Sequence, residues 1–228
     1  MTEDVVLVIA AHPDDEILGC GATLNKLKKE KRKIYALMLG EGMTSRGGEY
    51  KSKIKELRDS ANRSSKIIGI DEIFFEELPD NKFDTIPLLD IIKTVEKYIY
   101  KIKPDIIFTH HRGDLNIDHR LTFQAVLTAC RPRTDFKHPT IYSFEIPSST
   151  ECNETTYENI FRPNYFVIFS KTEMEKKKQA LSEYKSEMLM YPNSRSIEGI
   201  EIMAKDWGRK IGAEYTEAFE LVRQIVKN

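Results

Sequence analysis

The sequence predicts an α/β protein with a Rossmann-like, three-layer architecture: a mostly parallel sheet with helices on both faces. The chain alternates short apolar runs, typical of strands buried on both faces, with longer segments of helical periodicity. This βαβα rhythm is the pattern that produces parallel sheets covered by helices. The 228 residues can bury the core of one such domain, and we predict a single domain over residues 1–228.

The individual elements follow from composition and periodicity. Strands are predicted at 5–11, 33–39, 72–75, 105–109, 140–146 and 166–169, because these segments are rich in aliphatic, β-branched and aromatic side chains. Helices are predicted where apolar residues recur at helical spacing: 17–29, 54–68, 88–99, 121–129, 174–188 and 197–207. Gly69 followed by Ile70 predicts a C-terminal cap, and Ser170 with Glu173 predicts the capping box that opens the fifth helix.

Composition and charge exclude several classes of protein. Hydrophobic residues make up 40% and charged residues 31% of the chain, as in soluble globular proteins. A formal net charge of -1 argues against a nucleic-acid-binding surface. The three cysteines lack CxxC spacing, which argues against a disulfide framework or a zinc ribbon. The first apolar run is too short for a signal peptide or a membrane span, so we expect a cytoplasmic protein.

The first predicted strand ends at a cluster of polar residues, His12-Pro13-Asp14-Asp15-Glu16. Pro13 cannot donate to the hydrogen bonds of the sheet, so the chain leaves the sheet at this point. In open α/β sheets, chemistry collects where the strands end at their carboxyl edge. His12, Asp14 and Asp15 share a short turn and must point in different directions. One carboxylate can therefore bind a metal ion while its neighbour stays free for proton transfer.

A second polar cluster follows the fourth predicted strand, from His110 through His119. Four of the five histidines of the chain lie at the ends of these two strands, which chance placement would rarely produce. A lone histidine after a strand is usually structural, and we expect either His110 or His111 to pack or hydrogen-bond at the sheet edge. The combination of a His-x-x-Asp turn with an Asp-His pair nevertheless predicts a metal site.

Both clusters resemble motifs of a known enzyme family. The opening motif of the PIG-L/LmbE-type zinc deacetylases is similar to Ala11-His12-Pro13-Asp14-Asp15-Glu16, followed by Gly19-Cys20-Gly21. The second metal motif of that family is similar to Asn116-Ile117-Asp118-His119. The resemblance implies that His12, Asp15 and His119 bind zinc and that Asp14 is the catalytic base. Members of the family mostly remove acetyl groups from N-acetylglucosamine units, free or conjugated to thiol cofactors, lipids or nucleotides.

The residue types suit this chemistry. Two imidazoles, one carboxylate and a water form the open tetrahedral site of a hydrolytic zinc enzyme, although Fe2+ or Co2+ would also fit these ligands. Zinc lowers the pKa of its bound water to about 7 and polarises an amide carbonyl. Asp14 can accept the proton of that water and deliver it to the leaving amine, or it could instead cap the following helix. We expect Asp118 to orient either a metal-binding imidazole or the base.

One position departs from the family pattern. Many members have a histidine where this chain has Asn116, and that histidine is thought to stabilise the oxyanion or protonate the leaving group. The amide of Asn116 can donate a hydrogen bond to a developing oxyanion but cannot supply a proton. We therefore expect Asp14 to perform both proton transfers, with His111 as the alternative proton donor.

Substrate-binding residues are predicted at two positions. Arg58 aligns with an arginine that the family uses toward substrate, although a surface ion pair with neighbouring acids explains it equally well. Asp80 follows the third strand, where its carboxylate could bind a sugar hydroxyl. Arg195 could clamp a phosphate or carboxylate, or could cap the helix that follows it.

Two other classes of function are compatible with parts of the sequence. A nucleotide-binding Rossmann domain would explain Gly19-Cys20-Gly21 after the first strand, but the third glycine of that fingerprint is absent. A non-catalytic module with a structural metal would need a fourth protein ligand, which His110 or His111 could supply. For the enzyme, the expected partner is a small N-acetylated sugar or sugar conjugate. The irregular segment 147–163 is predicted to be a lid or a homo-oligomer contact.

Overall fold

A computed structural model describes residues 4–46, 50–134, 137–154 and 156–226. Its strands are β1 (Val5–Ala10), β2 (Lys33–Gly40), β3 (Glu72–Leu78), β4 (Ile106–His110), β5 (Thr140–Phe144), β6 (Tyr165–Phe169) and β7 (Tyr215–Arg223). They form one seven-stranded sheet in the order β3-β2-β1-β4-β5-β7-β6. Strands β1 to β5 run parallel to their neighbours among themselves, whereas β7 runs antiparallel to both β5 and β6.

Helices cover both faces of this sheet. They are α1 (Asp15–Lys29), α2 (Lys51–Ile68), α3 (Leu88–Ile102), α4 (Ile117–Ala129), α5 (Lys171–Leu181) and α6 (Ile197–Ile211). Alternate side chains of β1 enter two separate apolar clusters, because successive residues of a strand point to opposite faces. Helices α1, α2, α5 and α6 contribute to one cluster, and α3 and α4 to the other. The predicted Rossmann-like sandwich with a mostly parallel sheet is confirmed.

The strand order reverses between β1 and β4. From this point the chain builds β2 and β3 outward on one side, and β5 outward on the other. In open α/β sheets, ligands bind at such a reversal, outside the carboxyl ends of the strands. β1 ends at Ala10 and β4 ends at His110, so the two polar motifs leave the sheet side by side. The topology therefore brings together residues that are about a hundred positions apart.

Several predicted boundaries of helices and strands are wrong. The first helix begins at Asp15 rather than at residue 17, and the third strand extends to Leu78 rather than ending at 75. Helix α4 begins at Ile117 rather than at 121, because Asn116 already acts as its N-cap. The capping box at Ser170 is confirmed, but α5 ends at residue 181, well before the predicted 188.

Strand β7 is missing from the prediction made on sequence alone. Two of its residues, Glu217 and Glu220, are charged and interrupt the expected alternation of apolar side chains, yet both are buried. Each finds partners in another part of the chain: the carboxylate of Glu220 accepts a hydrogen bond from Arg112 at 2.8 Å. A strand stabilised by such long-range ion pairs gives little local signal.

Helix α1 is broken at Cys20, whose φ of -146° and ψ of 17° are not helical. Glu217 caps the restarted helix, because its carboxylate accepts hydrogen bonds from the N–H groups of Ala22 and Thr23 at 3.1 and 2.7 Å. The ammonium of Lys177 donates to a backbone carbonyl in the first half of α1 at 2.8 Å and to Glu217 at 2.7 Å. A buried ion pair thus satisfies the backbone groups that the break exposes.

Candidate metal centre and active site

Three side chains converge where β1 and β4 end. His12 comes from the turn after β1, Asp15 is the first residue of α1, and His119 comes from the first turn of α4. The Oδ2 atom of Asp15 lies 3.4 Å from Nδ1 of His12 and 3.4 Å from Nε2 of His119. Ligand atoms held about 2.1 Å from a tetrahedral metal lie about 3.4 Å apart, so this spacing fits a divalent metal. The three residues would leave one coordination position open.

Each of the two imidazoles is held from behind by a carboxylate. Nε2 of His12 lies 3.0 Å from Oδ2 of Asp118, and Nδ1 of His119 lies 3.1 Å from Oδ1 of Asp114. Asp118 is itself fixed by two backbone N–H groups of the loop after β3, at 2.6 and 3.0 Å. Such carboxylates orient a ligand imidazole and raise its basicity. Sequence reasoning missed Asp114, although it stands in the same polar cluster as His119.

A second group of possible ligands shares His12. Nε2 of His12 also lies 3.2 Å from Oδ1 of Asp80, so His12, Asp80 and Asp118 form an alternative set. Both oxygens of Asp118 already accept backbone hydrogen bonds, and Asp80 accepts one from the hydroxyl of Ser45. This set is therefore better suited to supporting the imidazole and meeting a substrate hydroxyl than to binding a metal.

The carboxylates around His12 and His119 raise the pKa values of both imidazoles. Burial alone would lower the pKa of His12, but hydrogen bonds to Asp118 and Asp15 outweigh it and raise the pKa to about 10. Burial would also lower the pKa of His119, but the charges of Asp15 and Asp114 raise it to about 9. Burial opposes ionisation of Asp15, yet the charges of the surrounding imidazoles hold its pKa well below the usual range. A divalent cation would take over the neutralising role of these protons.

His110 differs from its neighbours in charge and in role. Its Nε2 accepts a hydrogen bond from the N–H of Ala11 at 2.9 Å, and its ring stacks on His119 with 3.9 Å between centroids. Burial and the charge of His119 lower its pKa to about 3, so the ring is neutral. Because the backbone takes up the lone pair of Nε2, His110 is a structural residue of the sheet edge.

His111 faces other protein groups rather than the three converging side chains. Its Nε2 lies 3.0 Å from the carbonyl oxygen of Asn159, and its Nδ1 lies 3.4 Å from Oε2 of Glu220. A Cβ at Gly113 would lie 2.2 Å from the same carbonyl, so only glycine lets this part of the chain approach. The segment 147–163 thus packs in part on the second motif. This placement corrects the expectation that His111 could donate a proton at the reaction centre.

Asp14 occupies the N-cap position of α1 but does not cap the helix. Its backbone is left-handed, with a φ of 113°, and within the described ranges its carboxylate accepts no capping hydrogen bond. Arg195 instead donates a hydrogen bond to Oδ2 of Asp14, while Oε2 of Glu16 accepts one from the Asp14 N–H at 2.9 Å. Burial raises the pKa of Asp14 to about 7, with the Arg195 charge acting in the opposite direction. The Asp14 carboxylate is therefore held by Arg195 and not by the helix that follows it.

Asn116 is both the N-cap of α4 and part of the cavity wall. Its Oδ1 accepts a hydrogen bond from the N–H of Asp118 at 2.8 Å. This cap engages only the oxygen of the side-chain amide, so the Nδ2 group keeps its hydrogens for another acceptor. A capping role and a donor role toward substrate are thus compatible.

A cavity of about 490 Å³ opens over the converging side chains. Asp80 lies in its wall, whereas Arg58 borders a neighbouring cavity. There Arg58 pairs with Glu77 at 3.1 Å and lies over the ring of Phe75, 5.4 Å from its centroid. The structure thus brings Asp80 to the site and leaves Arg58 outside it. The cavity wall includes Leu115, Asn116, Glu187 and Arg195.

Comparison with known proteins decides the family. The model of the PIG-L family, described as GlcNAc-PI de-N-acetylase, matches residues 7–130. The chain belongs to the PIG-L family. The PIG-L match includes both polar motifs and hence His12, Asp14, Asp15 and His119, but it ends before Glu187 and Arg195.

Individual PIG-L-like relatives extend the similarity over most of the chain. The uncharacterized deacetylase YaiS of Escherichia coli (strain K12) is 30% identical over 149 residues, which cover 63% of this chain and 75% of that protein. Diacetylchitobiose deacetylase of Thermococcus kodakarensis is 28% identical over 238 aligned residues, with 96% of this chain and 84% of that protein covered. The structure of N,N'-diacetylchitobiose deacetylase from Pyrococcus horikoshii has a TM-score of 0.75 at 21% identity, covering 96% and 84% of the two chains. The last comparison shows a shared fold. Among the helices described for this PIG-L protein, none is long and apolar enough to cross a membrane.

Proposed function

We propose that the protein is a metal-dependent hydrolase that removes the N-acetyl group from an N-acetylglucosamine-type sugar or its conjugate. The observation that carries this proposal is that three possible metal ligands leave one coordination position open. A separate carboxylate, that of Asp14, lies beside them and makes no hydrogen bond to any of the three. His12, Asp15 and His119 would hold the metal, and Asp14 on the same turn is paired with Arg195. Zinc is the proposed metal, and Fe2+ or Co2+ would suit the same ligands.

The protein's own residues supply the proton transfers and the charge stabilisation. When bound, the metal would contribute Lewis acidity toward a water molecule and the amide carbonyl. Asp14 accepts a proton from the attacking water and returns it to the nitrogen as the carbon–nitrogen bond breaks. The amide of Asn116 donates a hydrogen bond to the oxygen that develops negative charge. Acetate and a free amine are the products. Both proton transfers are assigned to Asp14 because His111 faces Asn159 and Glu220.

A non-catalytic module with a structural metal has weaker support. Structural zinc sites are normally closed by a fourth protein ligand. His110 is the nearest candidate, with Nε2 at 3.5 Å from Asp15 Oδ2, but this nitrogen accepts the Ala11 N–H. The fourth position of the proposed site therefore suits a water molecule or a substrate oxygen.

The sugar specificity is inferred from two relatives and from the cavity. Two proteins similar to this chain are named diacetylchitobiose deacetylases, and we extend the class of N-acetylated sugar to this chain. Asp80 lies in the cavity wall beside His12, where its carboxylate can accept a hydrogen bond from a sugar hydroxyl. The cavity volume of about 490 Å³ is typical of small-molecule sites. Arg58 would contact only a conjugate that extends beyond this cavity.

The proposed function is tested by screening the zinc-loaded protein for free-amine release. The panel contains N-acetylglucosamine, N,N'-diacetylchitobiose, and N-acetylglucosamine conjugated to a lipid, a thiol cofactor and a nucleotide. We expect release from at least one member, and none from the His119→Ala variant, which should also lose its metal. A fully metal-loaded wild-type protein that releases no amine from any panel member would contradict the proposal.

A first prediction concerns Asn116. If its amide stabilises the developing oxyanion, Asn116→Ala should lower kcat about 100-fold without changing the metal content. Loss of the α4 cap should also cost about 1 kcal/mol of stability. Asn116→Asp keeps a capping oxygen but has no amide donor, so it should recover the stability and not the turnover. Wild-type turnover in Asn116→Asp would instead assign the effect to the cap.

A second prediction concerns pH. Asp14 acts as a base only when ionised, and burial raises its pKa to about 7, so activity should be lost as the pH falls through that pKa. A nearby cation lowers the pKa of a carboxylate, so a bound metal would move the midpoint of the acid limb below about 7. The measurement is kcat/KM of the metal-saturated enzyme against pH. The residual activity of Asp14→Asn should lack this limb, and an unchanged limb in that variant would exclude Asp14 as its source.

A further inference from the structure

The segment between α5 and α6, residues 182–196, reaches back to the first polar motif. Arg195 donates a hydrogen bond to Oδ2 of Asp14, and Tyr184 donates one to Oε1 of Glu16 at 2.5 Å. The partners in these two contacts are 181 and 168 residues apart in the sequence. Both contacting residues lie outside the region matched by the family model, which ends at residue 130.

The Arg195 contact is an ion pair in the cavity wall. The side chain of Asp14 is 1% exposed and that of Arg195 is 23% exposed. The backbone of Arg195 is anchored on both sides: its N–H donates to Oδ1 of Asn193 at 2.8 Å, and its carbonyl accepts from the N–H of Leu189 at 3.3 Å. The following residue, Ser196, accepts a hydrogen bond within the first turn of α6 at 2.9 Å. These hydrogen bonds fix the backbone from which the Arg195 guanidinium reaches Asp14.

The Tyr184 contact acts on the backbone of the same turn. Tyr184 and Glu16 are completely buried, and the second oxygen of the Glu16 carboxylate accepts the Asp14 N–H at 2.9 Å. Asp14 has a left-handed φ of 113°, which a residue other than glycine retains only when its surroundings hold it there. Tyr184 and Glu16 thus hold the Asp14 backbone, while Arg195 holds its carboxylate.

We propose that Arg195 is a positioning residue for the base Asp14, with Tyr184 and Glu16 completing a clamp on the same turn. The inference rests on the proposed function, because it concerns how the base of that reaction is oriented. Without Arg195, the Asp14 carboxylate could rotate away from the water it must deprotonate. Misplacement of a reacting group by about 1 Å can cost about 100-fold in rate. The positive charge of Arg195 also offsets the electrostatic repulsion between the neighbouring carboxylates of Asp14 and Asp15.

Two other roles for Arg195 give different kinetics. If the ion pair were only structural, its loss would lower stability and leave kcat of the folded protein unchanged. If Arg195 bound the substrate, its loss would raise KM and leave kcat unchanged. A positioning residue for the base lowers kcat with little change in KM and no change in metal content.

The test compares Arg195→Ala, Arg195→Lys and Tyr184→Phe with the control Arg63→Ala. Arg63 pairs with Glu183 of the same segment at 2.6 Å, but the two side chains are 52% and 32% exposed and lie outside the cavity wall. We expect kcat to fall about 100-fold in Arg195→Ala, by less in Arg195→Lys and Tyr184→Phe, and to stay unchanged in Arg63→Ala. Added guanidinium ion should restore part of the kcat of Arg195→Ala, whereas urea at the same concentration should not. A kcat for Arg195→Ala within about threefold of wild type, or a rise in KM alone, would overturn the inference.

Thermal unfolding of the metal-loaded protein tests the contact without any substrate. The fall in Tm caused by Arg195→Ala should be smaller in an Asp14→Asn background than in the wild-type background, because the two residues share one interaction. If Arg195→Ala lowered Tm equally in both backgrounds, Arg195 and Asp14 would not share an interaction, and the inference would be overturned. If the wild type releases no amine from the panel while the Tm changes are coupled, the proposed function fails, and only the contact between Arg195 and Asp14 stands. If the wild type is active and Arg195→Ala keeps its kcat, the clamp fails and the function stands.

Discussion

Asp14→Asn is expected to keep its metal and to lose turnover by roughly 10²–10⁴, because the amide preserves the shape of the carboxylate but cannot accept a proton. Asp15→Asn is expected to behave differently, since it removes the proposed anionic ligand. Its metal affinity should fall first, and part of its activity should return in excess zinc. Metal content and kcat measured on the same preparations distinguish the two outcomes.

Each of these two variants is the control for the other. Asp14 and Asp15 are chemically identical neighbours on one turn, so only their orientation separates the proposed base from the proposed ligand. In the structure, Asp14 pairs with Arg195, and Asp15 approaches His12 and His119. Loss of metal in Asp14→Asn, together with full occupancy in Asp15→Asn, would reverse the assignment.

The largest effect on stability is expected from Lys177→Met. The side chains of Lys177 and Glu217 are 1% and 4% exposed. At the break of α1, Nζ of Lys177 lies 2.7 Å from Oε1 of Glu217. Removing one partner of a buried pair leaves the other charge uncompensated, which typically costs about 3–5 kcal/mol. Methionine preserves most of the apolar stem, so the loss would report the charge. Chemical denaturation measures the change in the free energy of unfolding.

Lys178→Met is the matched control, because it makes the same change at the next residue. Lys178 pairs with Glu201 at 2.9 Å, with side chains 24% and 23% exposed. Pairs in contact with water contribute about 0–1 kcal/mol, so this variant should be close to wild type in stability. If the two substitutions lowered the free energy of unfolding equally, burial would not make the Lys177–Glu217 pair more important for stability than an exposed pair.

The parts of the fold predicted from sequence are those with local signals. Apolar runs mark the parallel strands β1 to β5, and their polar ends reveal the edge at which chemistry collects. His12, Asp14 and Asp15 follow one such strand, and His119 opens the helix after another. Because β1 and β4 are parallel and adjacent in the sheet, their polar ends meet at one edge, as the paired motifs predict.

The parts that escaped prediction depend on contacts between distant segments. Glu217 looks like a surface residue in the sequence, and only Lys177 and the broken helix explain its burial. In the sequence, Arg195 is one arginine in a loop, and nothing near it in the sequence shows that its partner is Asp14. The orientation of His111 is set by Asn159, a residue of an irregular segment with no periodic pattern. In each case the partner lies too far along the chain for spacing to reveal it.

The proposed reaction is hydrolysis of an N-acetyl amide, with a divalent metal held by His12, Asp15 and His119. The most direct measurement quantifies acetate and free amine in the same reaction, using protein stripped by a chelator and then reloaded with stoichiometric zinc. We predict equimolar acetate and amine from the reloaded protein, and neither product from the stripped protein or from His119→Ala. Undiminished release of both products after complete removal of the metal would contradict the claim.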